Sequence, residues 1–210
     1  MELRIRRKVS INAVPMNTAS LDTVAINQRM DHFNGHDEVW LFGYGSLIYK
    51  ADFAYIERRP ASIRHWVRRF WQGSHDHRGT PEVPGRVVTL VPQADAVCAG
   101  MAYLITPDTF GHLDVREKNG YLRFVTELSL DDGRRIDGLV YIATEENAAF
   151  LGDAPAHDIA RHIAGSHGPS GSNADYLLQL AEALRDLGAD DPHVFAIESE
   201  LSNLARADNR

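Results

Sequence analysis

The chain has 210 residues, of which 44% are hydrophobic and 24% charged, a length and balance that suit one soluble folded domain with an appendage. Its 22 Lys and Arg stand against 29 Asp and Glu, so the formal net charge is -7, which argues against non-specific binding to nucleic acid or to an anionic membrane. The one cysteine, Cys98, excludes an internal disulfide and an all-cysteine metal site, and it reads as a small buried hydrophobe rather than a nucleophile.

The first stretch, MELRIRRKVSINAVPMNTAS, is basic, but polar residues and Pro15 interrupt the apolar run a secretory signal needs. Nothing approaches the roughly 18 consecutive apolar residues of a membrane-spanning helix, so a reducing, cytoplasmic location is the expectation. Residues 1–37 read as an extension and residues 38–206 as a single domain. VWLFGY (39–44) reads as a buried strand and ADFAYIERRPA (51–61) as a connection. IRHWVRRFWQG (63–73), GRVVTLVP (85–92) and AGMAYLIT (99–106) are three further strands, rich in β-branched and aromatic residues and bounded by Gly or Pro. PDTFGHLDVREKNG (107–120) predicts a helix with Gly120 past its end, and YLRFVTELSL, DDG and RIDGLVYIAT (121–144) predict a hairpin. After Thr144 the spacing turns helical, over 154–168, 173–188 and 191–206. Ile159 and Ile163, then Leu177, Leu180, Leu184 and Leu187, then Val194, Ile197, Leu201 and Leu204 each make one apolar stripe. Strands first and helices last predict an α+β fold, its sheet closed as a small barrel or left mixed and flanked by helices.

Three stretches carry candidate chemistry. FGYGSLI (42–48) is neither a dinucleotide fingerprint nor a nucleophile elbow. It is a strand end followed by glycines and Ser46, either a plain turn or a loop whose bare backbone amides cradle a carboxylate. GSHDHRGTPEVPGR (73–86) places His75, Asp76 and His77 together, a weak metal signal without a further ligand, and Arg78, which is either a surface arginine or a partner for a substrate carboxylate. VREKNGY (115–121) places Glu117 near the end of the predicted helix. There the helix dipole and burial would both raise its pKa and make it a general base, or it is an ordinary solvated charge paired with Arg116 or Lys118.

Together these stretches resemble the ChaC-like branch of the γ-glutamylcyclotransferases. The matching text is FGYGSLIYK, RRFWQGSHDHRG, PGRVVTL, GMAY, VREKNGY, YIAT, FLGDAP and GPSGSNADYL, in order from about Val39 to about Ser199. The resemblance implies a β-barrel flanked by helices that cleaves glutathione to 5-oxoproline and cysteinylglycine without cofactor or metal. It implies that Tyr44, Gly45, Ser46 and Leu47 hold the glutamyl group, that Glu117 is the catalytic base, and that Arg78 and Tyr141 belong to the substrate site. Ser74 stands where some relatives carry aspartate, and TPEVPG departs slightly from the family in the same loop. Two alternatives remain: a cyclotransferase for other γ-glutamyl amino acids or amines, and a non-catalytic binding or regulatory module on the same fold. The sequence implies a small-molecule partner, no nucleic acid and no membrane, and does not address oligomeric state.

Overall fold

The computed structural model describes residues 22–30 and 35–208. A short helix α1 (Val24–Arg29) precedes a closed barrel of five strands: β1 (Val39–Gly43), β2 (Glu57–Ser74), β3 (Gly85–Ile105), β4 (Tyr121–Leu130) and β5 (Arg135–Ala143). The strand order is β1-β3-β2-β4-β5. The barrel closes by a parallel contact, Leu41 against Leu139 and Phe42 against Val140, while all other pairs are antiparallel. Closure removes most of the free sheet edge that an open five-stranded sheet would present. The expected barrel flanked by helices, with a helical C-terminal part, is the fold observed.

The long hairpin of β2 and β3 differs from the sequence reading in two ways. The connection placed over 51–61 ends at Ile56, and Glu57–Ala61 already pair with β3. The strands expected at 85–92 and 99–106 are one bent strand. QADAV (93–97) looks like a break because it is polar and exposed, yet the ladder resumes at Arg64 and Val97 after a shift in register. His65 (φ 69) and Asp95 (φ 61) take left-handed conformations at that bulge, which bends the hairpin without ending it.

Helix α2 (Thr109–Arg116) is shorter than the sequence suggested. Glu117 caps it, its N–H bonding the Leu113 carbonyl at 2.8 Å. Residues 118–120 then turn into β4, with Gly120 at φ +89. The hairpin of β4 and β5 forms as expected, with Gly133 at φ +87 in the turn.

Helices α3 (Ala156–Ala164) and α4 (Asn173–Asp186) fall inside the predicted helical stretches, and α5 (Pro192–Asp208) runs two residues past the end of the third. Their stripes bury Ile159, Ile163, Leu177, Leu184, Val194 and Ile197 completely against the barrel core. Each such side chain contributes on the order of 1.5–3 kcal/mol. Phe110 and Leu113 of α2 pack into a second apolar cluster with Leu41, Tyr103, Leu139 and Tyr141. So α2 docks at the rim where β1 meets β5, and its end carries Glu117 over the loop that leaves β1.

Cap chemistry joins the C-terminal helices to the barrel. Ser172 Oγ accepts the Asp175 N–H at 3.0 Å, and Asp191 Oδ1 accepts the Val194 N–H at 3.1 Å just ahead of Pro192. The other oxygen of Asp191 pairs with Arg68 Nη1 at 2.6 Å. Arg68 is the largest fully buried side chain, and it also donates to the carbonyls of Tyr44 and Ala99. One buried guanidinium thus ties the loop after β1 to β3 and to α5.

Residues 22–30, read from the sequence as part of an extension, lie against this body. Thr23 and Asn27 are buried, and Asp22 forms an isolated antiparallel bridge with Asn119. Residues 1–21 of the expected extension lie outside the described residues. Among the described residues no helix is long and apolar enough to cross a membrane.

Candidate active site

The chain leaves β1 at Gly43 and makes a single 3₁₀ turn over Ser46–Ile48. A Cβ on Gly43 would lie 2.5 Å from the Leu47 Cβ, so only glycine lets the turn fold back on the strand end. A Cβ on Gly45 would lie 3.0 Å from both the Tyr176 hydroxyl and Val88 Cγ2. It would project into the space those groups line. The Ile48 and Tyr49 amides close the turn on the Gly45 and Ser46 carbonyls. Among the described residues the amides of Ser46 and Leu47 have no acceptor, as expected for the first N–H groups of a helical turn. The two glycines therefore leave backbone amides open beside a cavity, as the anion-cradling reading requires.

That cavity is a narrow pocket beside the end of β1. The turn Gly43–Leu47 forms one wall, and Val88, Glu117, Tyr121, Tyr141 and Tyr176 form the others. A wider cleft adjoins it and carries Lys50, Asp76, His77, Arg78 and Arg116. Ser46, Glu117, Tyr121 and Tyr176 line both spaces. Glu117 therefore stands at their junction.

The Glu117 side chain is 18% exposed, and its Oε1 lies 3.4 Å from Arg116 Nε. Burial pushes its carboxyl pKa above the ordinary 4.5, while the charges of Arg116 and His77 pull against that rise. Glu117 is largely buried with a raised pKa, so it is not the solvated charge of the alternative reading, although it does pair with Arg116. Arg116 also donates to Ser46 Oγ at 2.8 Å and pairs with Asp52. It links the 3₁₀ turn to the carboxylate, a connection the sequence showed only as adjacency.

Of the four pocket tyrosines, Tyr44, Tyr141 and Tyr176 are buried and Tyr121 is partly buried; burial raises the pKa of each, with the charge of Glu117 adding to the rise. They stay protonated near neutrality and serve as donors and apolar walls. Tyr44 donates to the Tyr141 carbonyl at 2.8 Å and Tyr121 to the Val88 carbonyl at 2.8 Å. Tyr141 lines the narrow pocket as its candidacy required, but its hydroxyl donates to Asp114 Oδ1 at 2.6 Å. Asp114 is buried and lies 3.4 Å from Arg123 Nε. That carboxylate holds the Tyr141 proton, so the phenol acts as a wall rather than as a free donor. Tyr176, in the stretch GPSGSNADYL, was not singled out from the sequence. Its hydroxyl accepts the Val88 N–H at 3.5 Å and faces Gly45.

Leu47 turns its side chain into the second apolar cluster, and its carbonyl accepts the Tyr103 hydroxyl at 2.5 Å. The residue thus contributes its amide to the pocket and its side chain to the core. Arg78 lies in the wider cleft, apart from the narrow pocket. Its Nη1 donates to the Ser172 carbonyl at 3.1 Å, its guanidinium sits 5.5 Å from the Tyr176 ring centroid, and its backbone N–H donates to Ser74 Oγ at 3.0 Å. Ser74, the last residue of β2, thus ties the Arg78 loop to the strand end. His77 faces Ser170 at 3.1 Å, and among the described residues no three His, Cys, Asp or Glu side chains converge as metal ligands. Cys98 is buried, and burial pushes its thiol pKa up, the condition of a core residue.

Residues 39–204 match the family described as ChaC-like protein. A γ-glutamylcyclotransferase 2-3 of Arabidopsis thaliana is 44% identical over 178 residues, covering 79% of this chain and 89% of the relative. A glutathione-specific γ-glutamylcyclotransferase 1 of Danio rerio is 41% identical over 177 residues, covering 80% of this chain and 90% of the relative. The crystal structure of a glutathione-specific γ-glutamyl cyclotransferase from yeast superposes with a TM-score of 0.75 at 34% identity, covering 80% of this chain and 97% of that one.

Proposed function

The chain belongs to the ChaC-like family, and from that premise we propose that it is a glutathione-specific γ-glutamylcyclotransferase that releases 5-oxoproline and cysteinylglycine. The observation that carries the reading is the place of Glu117, where the narrow pocket of the Gly43–Leu47 turn meets the wider cleft. A γ-glutamyl group fits the narrow side, with its α-carboxylate on the bare amides of Ser46 and Leu47. The rest of the substrate extends into the cleft toward Arg78. The scissile γ-amide then lies beside the carboxylate.

The nucleophile belongs to the substrate. The glutamyl α-amine attacks its own γ-carbonyl carbon, closes a five-membered lactam, and the C–N bond to the cysteinyl nitrogen breaks. No water is consumed. The α-ammonium, with a pKa near ~8, gives one proton to solvent before attack, and the nitrogen gives up a second on ring closure, while the cysteinyl nitrogen gains one on C–N cleavage and another from solvent after release. Glu117 takes the proton from the attacking nitrogen and returns it to the departing one. Its raised pKa makes it a stronger base than a solvated carboxylate. Arg116 keeps the carboxylate within reach of Ser46. Folding the glutamyl chain against the turn presents the amine to the carbonyl, and such oriented ring closure supplies about 7–11 kcal/mol of the barrier. The remaining donor at the developing oxyanion is the Tyr176 hydroxyl, because the turn amides hold the substrate carboxylate and Asp114 occupies the proton of Tyr141.

The test is incubation of the full chain with reduced glutathione, with 5-oxoproline quantified by mass spectrometry beside γ-glutamyl-alanine as competitor substrate. Product from glutathione at a higher kcat/KM than from γ-glutamyl-alanine supports the reading. Equal turnover of both removes the specificity, and product from neither refutes the reaction.

A further inference from the structure

We propose that Asp22–Asn27, N-terminal to the family-matched region, is a clamp that positions Glu117 by gripping the turn between α2 and β4. The inference rests on the catalytic role given to Glu117 above. The matched family spans residues 39–204, so this segment lies outside the matched region.

The grip is made of backbone and buried polar groups on both sides of the turn. Thr23 N–H donates to the Lys118 carbonyl at 2.9 Å. Its hydroxyl lies 2.9 Å from the Lys118 carbonyl and 2.8 Å from that of Tyr121, so one proton serves either end of the turn. Asn27, fully buried, donates Nδ2 to the Tyr121 carbonyl at 2.9 Å and accepts the Arg123 N–H on Oδ1 at 3.1 Å. A carboxamide spanning the carbonyl of one strand residue and the N–H two residues on does what a neighbouring strand does in a ladder. It does so where a neighbour is lacking, because β2 pairs with β4 only at Leu128–Leu130 and leaves the start of β4 as an edge.

The gripped residues flank the chemistry. Glu117 precedes Lys118 directly, and Tyr121 sends its phenol into both the pocket and the cleft. Gln72 holds the same turn from the barrel side, donating to the Asn119 carbonyl at 3.1 Å. The turn therefore sits between two sets of donors, and removing the outer set frees Glu117 and Tyr121 to shift together. Misplacement by about 1 Å can lower a rate by about a hundredfold.

The experiment compares Thr23→Val, which keeps the shape and loses the hydroxyl, with Thr23→Ser, which restores it, and with Asn27→Ala, all in the full chain. Steady-state kinetics with glutathione are read beside hydrogen exchange of the Glu117–Tyr121 backbone amides. The expected result is a kcat lower by about ten- to a hundredfold in Thr23→Val and Asn27→Ala with KM within about twofold, faster exchange at 117–121, and recovery of both in Thr23→Ser. Unchanged kcat, or a loss carried by KM alone, overturns the clamp, as does unchanged exchange across the turn. Should the wild type release no 5-oxoproline, the cyclotransferase reading fails by itself, and exchange at 117–121 in the same variants decides whether the segment orders the turn.

Discussion

Replacing Glu117 by Gln separates the chemistry of the site from its architecture. The amide keeps the shape of a side chain that is 18% exposed, and its oxygen can still lie beside Arg116 Nε. What disappears is proton affinity. A positioned acid–base group contributes about 10²–10⁴ in rate, or roughly 3–5.5 kcal/mol at 1.36 kcal/mol per tenfold. Because one carboxylate takes the proton in the first step and returns it in the second, the loss in kcat belongs at the upper end of that range. KM should stay within about threefold, since the turn amides that receive the substrate carboxylate are untouched. Stability should move the other way. A carboxyl whose folded pKa is raised binds its proton more tightly in the native state than in the unfolded one. Its favourable contribution is full below the unfolded pKa and is lost as pH rises through the folded value. At neutral pH ionised Glu117 therefore subtracts from stability, and Glu117→Gln should unfold in urea at an equal or higher midpoint. The assays are 5-oxoproline release under saturating glutathione and a urea titration at pH 7. Turnover within tenfold of wild type would refute Glu117 as the base. A lowered unfolding midpoint would show that the lost turnover reflects damage to the fold.

Gly45→Val should lower kcat/KM at least about tenfold, a cost of about 1.4 kcal/mol, because even its Cβ would lie 3.0 Å from the Tyr176 hydroxyl and Val88; kinetics within twofold of wild type would show that the pocket is not where the substrate sits. Arg68→Met should destabilise the fold by about 3–5 kcal/mol, since it strands Asp191 and the Tyr44 and Ala99 carbonyls together; an unchanged urea midpoint would remove Arg68 as the tie between the turn and α5. His193 accepts the Phe70 N–H at 3.0 Å, and burial pushes its pKa down to about 4. Between its ordinary 6.5 and that value the unfolded chain binds the proton and the fold does not. Stability should therefore fall as pH drops through this window, and His193→Gln should flatten that fall in urea titrations run across it.

Much of this protein is legible along the chain because it is local. Alternation and β-branched composition mark the strands, turn residues mark the hairpin at 131–133, and the stripes at Ile159, Leu177 and Val194 mark the helices and the faces they bury. Short-range patterns of this kind express propensity and side-chain period, which neighbours in sequence control. The glycines and Ser46 of the 3₁₀ turn, Glu117 and Arg78 likewise stand out as residue types suited to binding and proton transfer. The joining of β3 into one bent strand was not legible, because it depends on pairing with β2 on either side of the exposed middle, at Pro92 and Val97, rather than on the residues of that middle. Tertiary contact also decided the rest. Barrel closure carries Glu117 to the turn after β1, more than 70 residues away in sequence. Asp114 captures the proton of Tyr141, Tyr176 arrives from α4 to face Gly45, and Thr23 and Asn27 reach the turn behind the carboxylate. Each of these depends on where a distant segment ends up and on the burial it creates. A raised carboxyl pKa, a committed hydroxyl and a bare amide are properties of such surroundings, and they come into being only when the chain has folded.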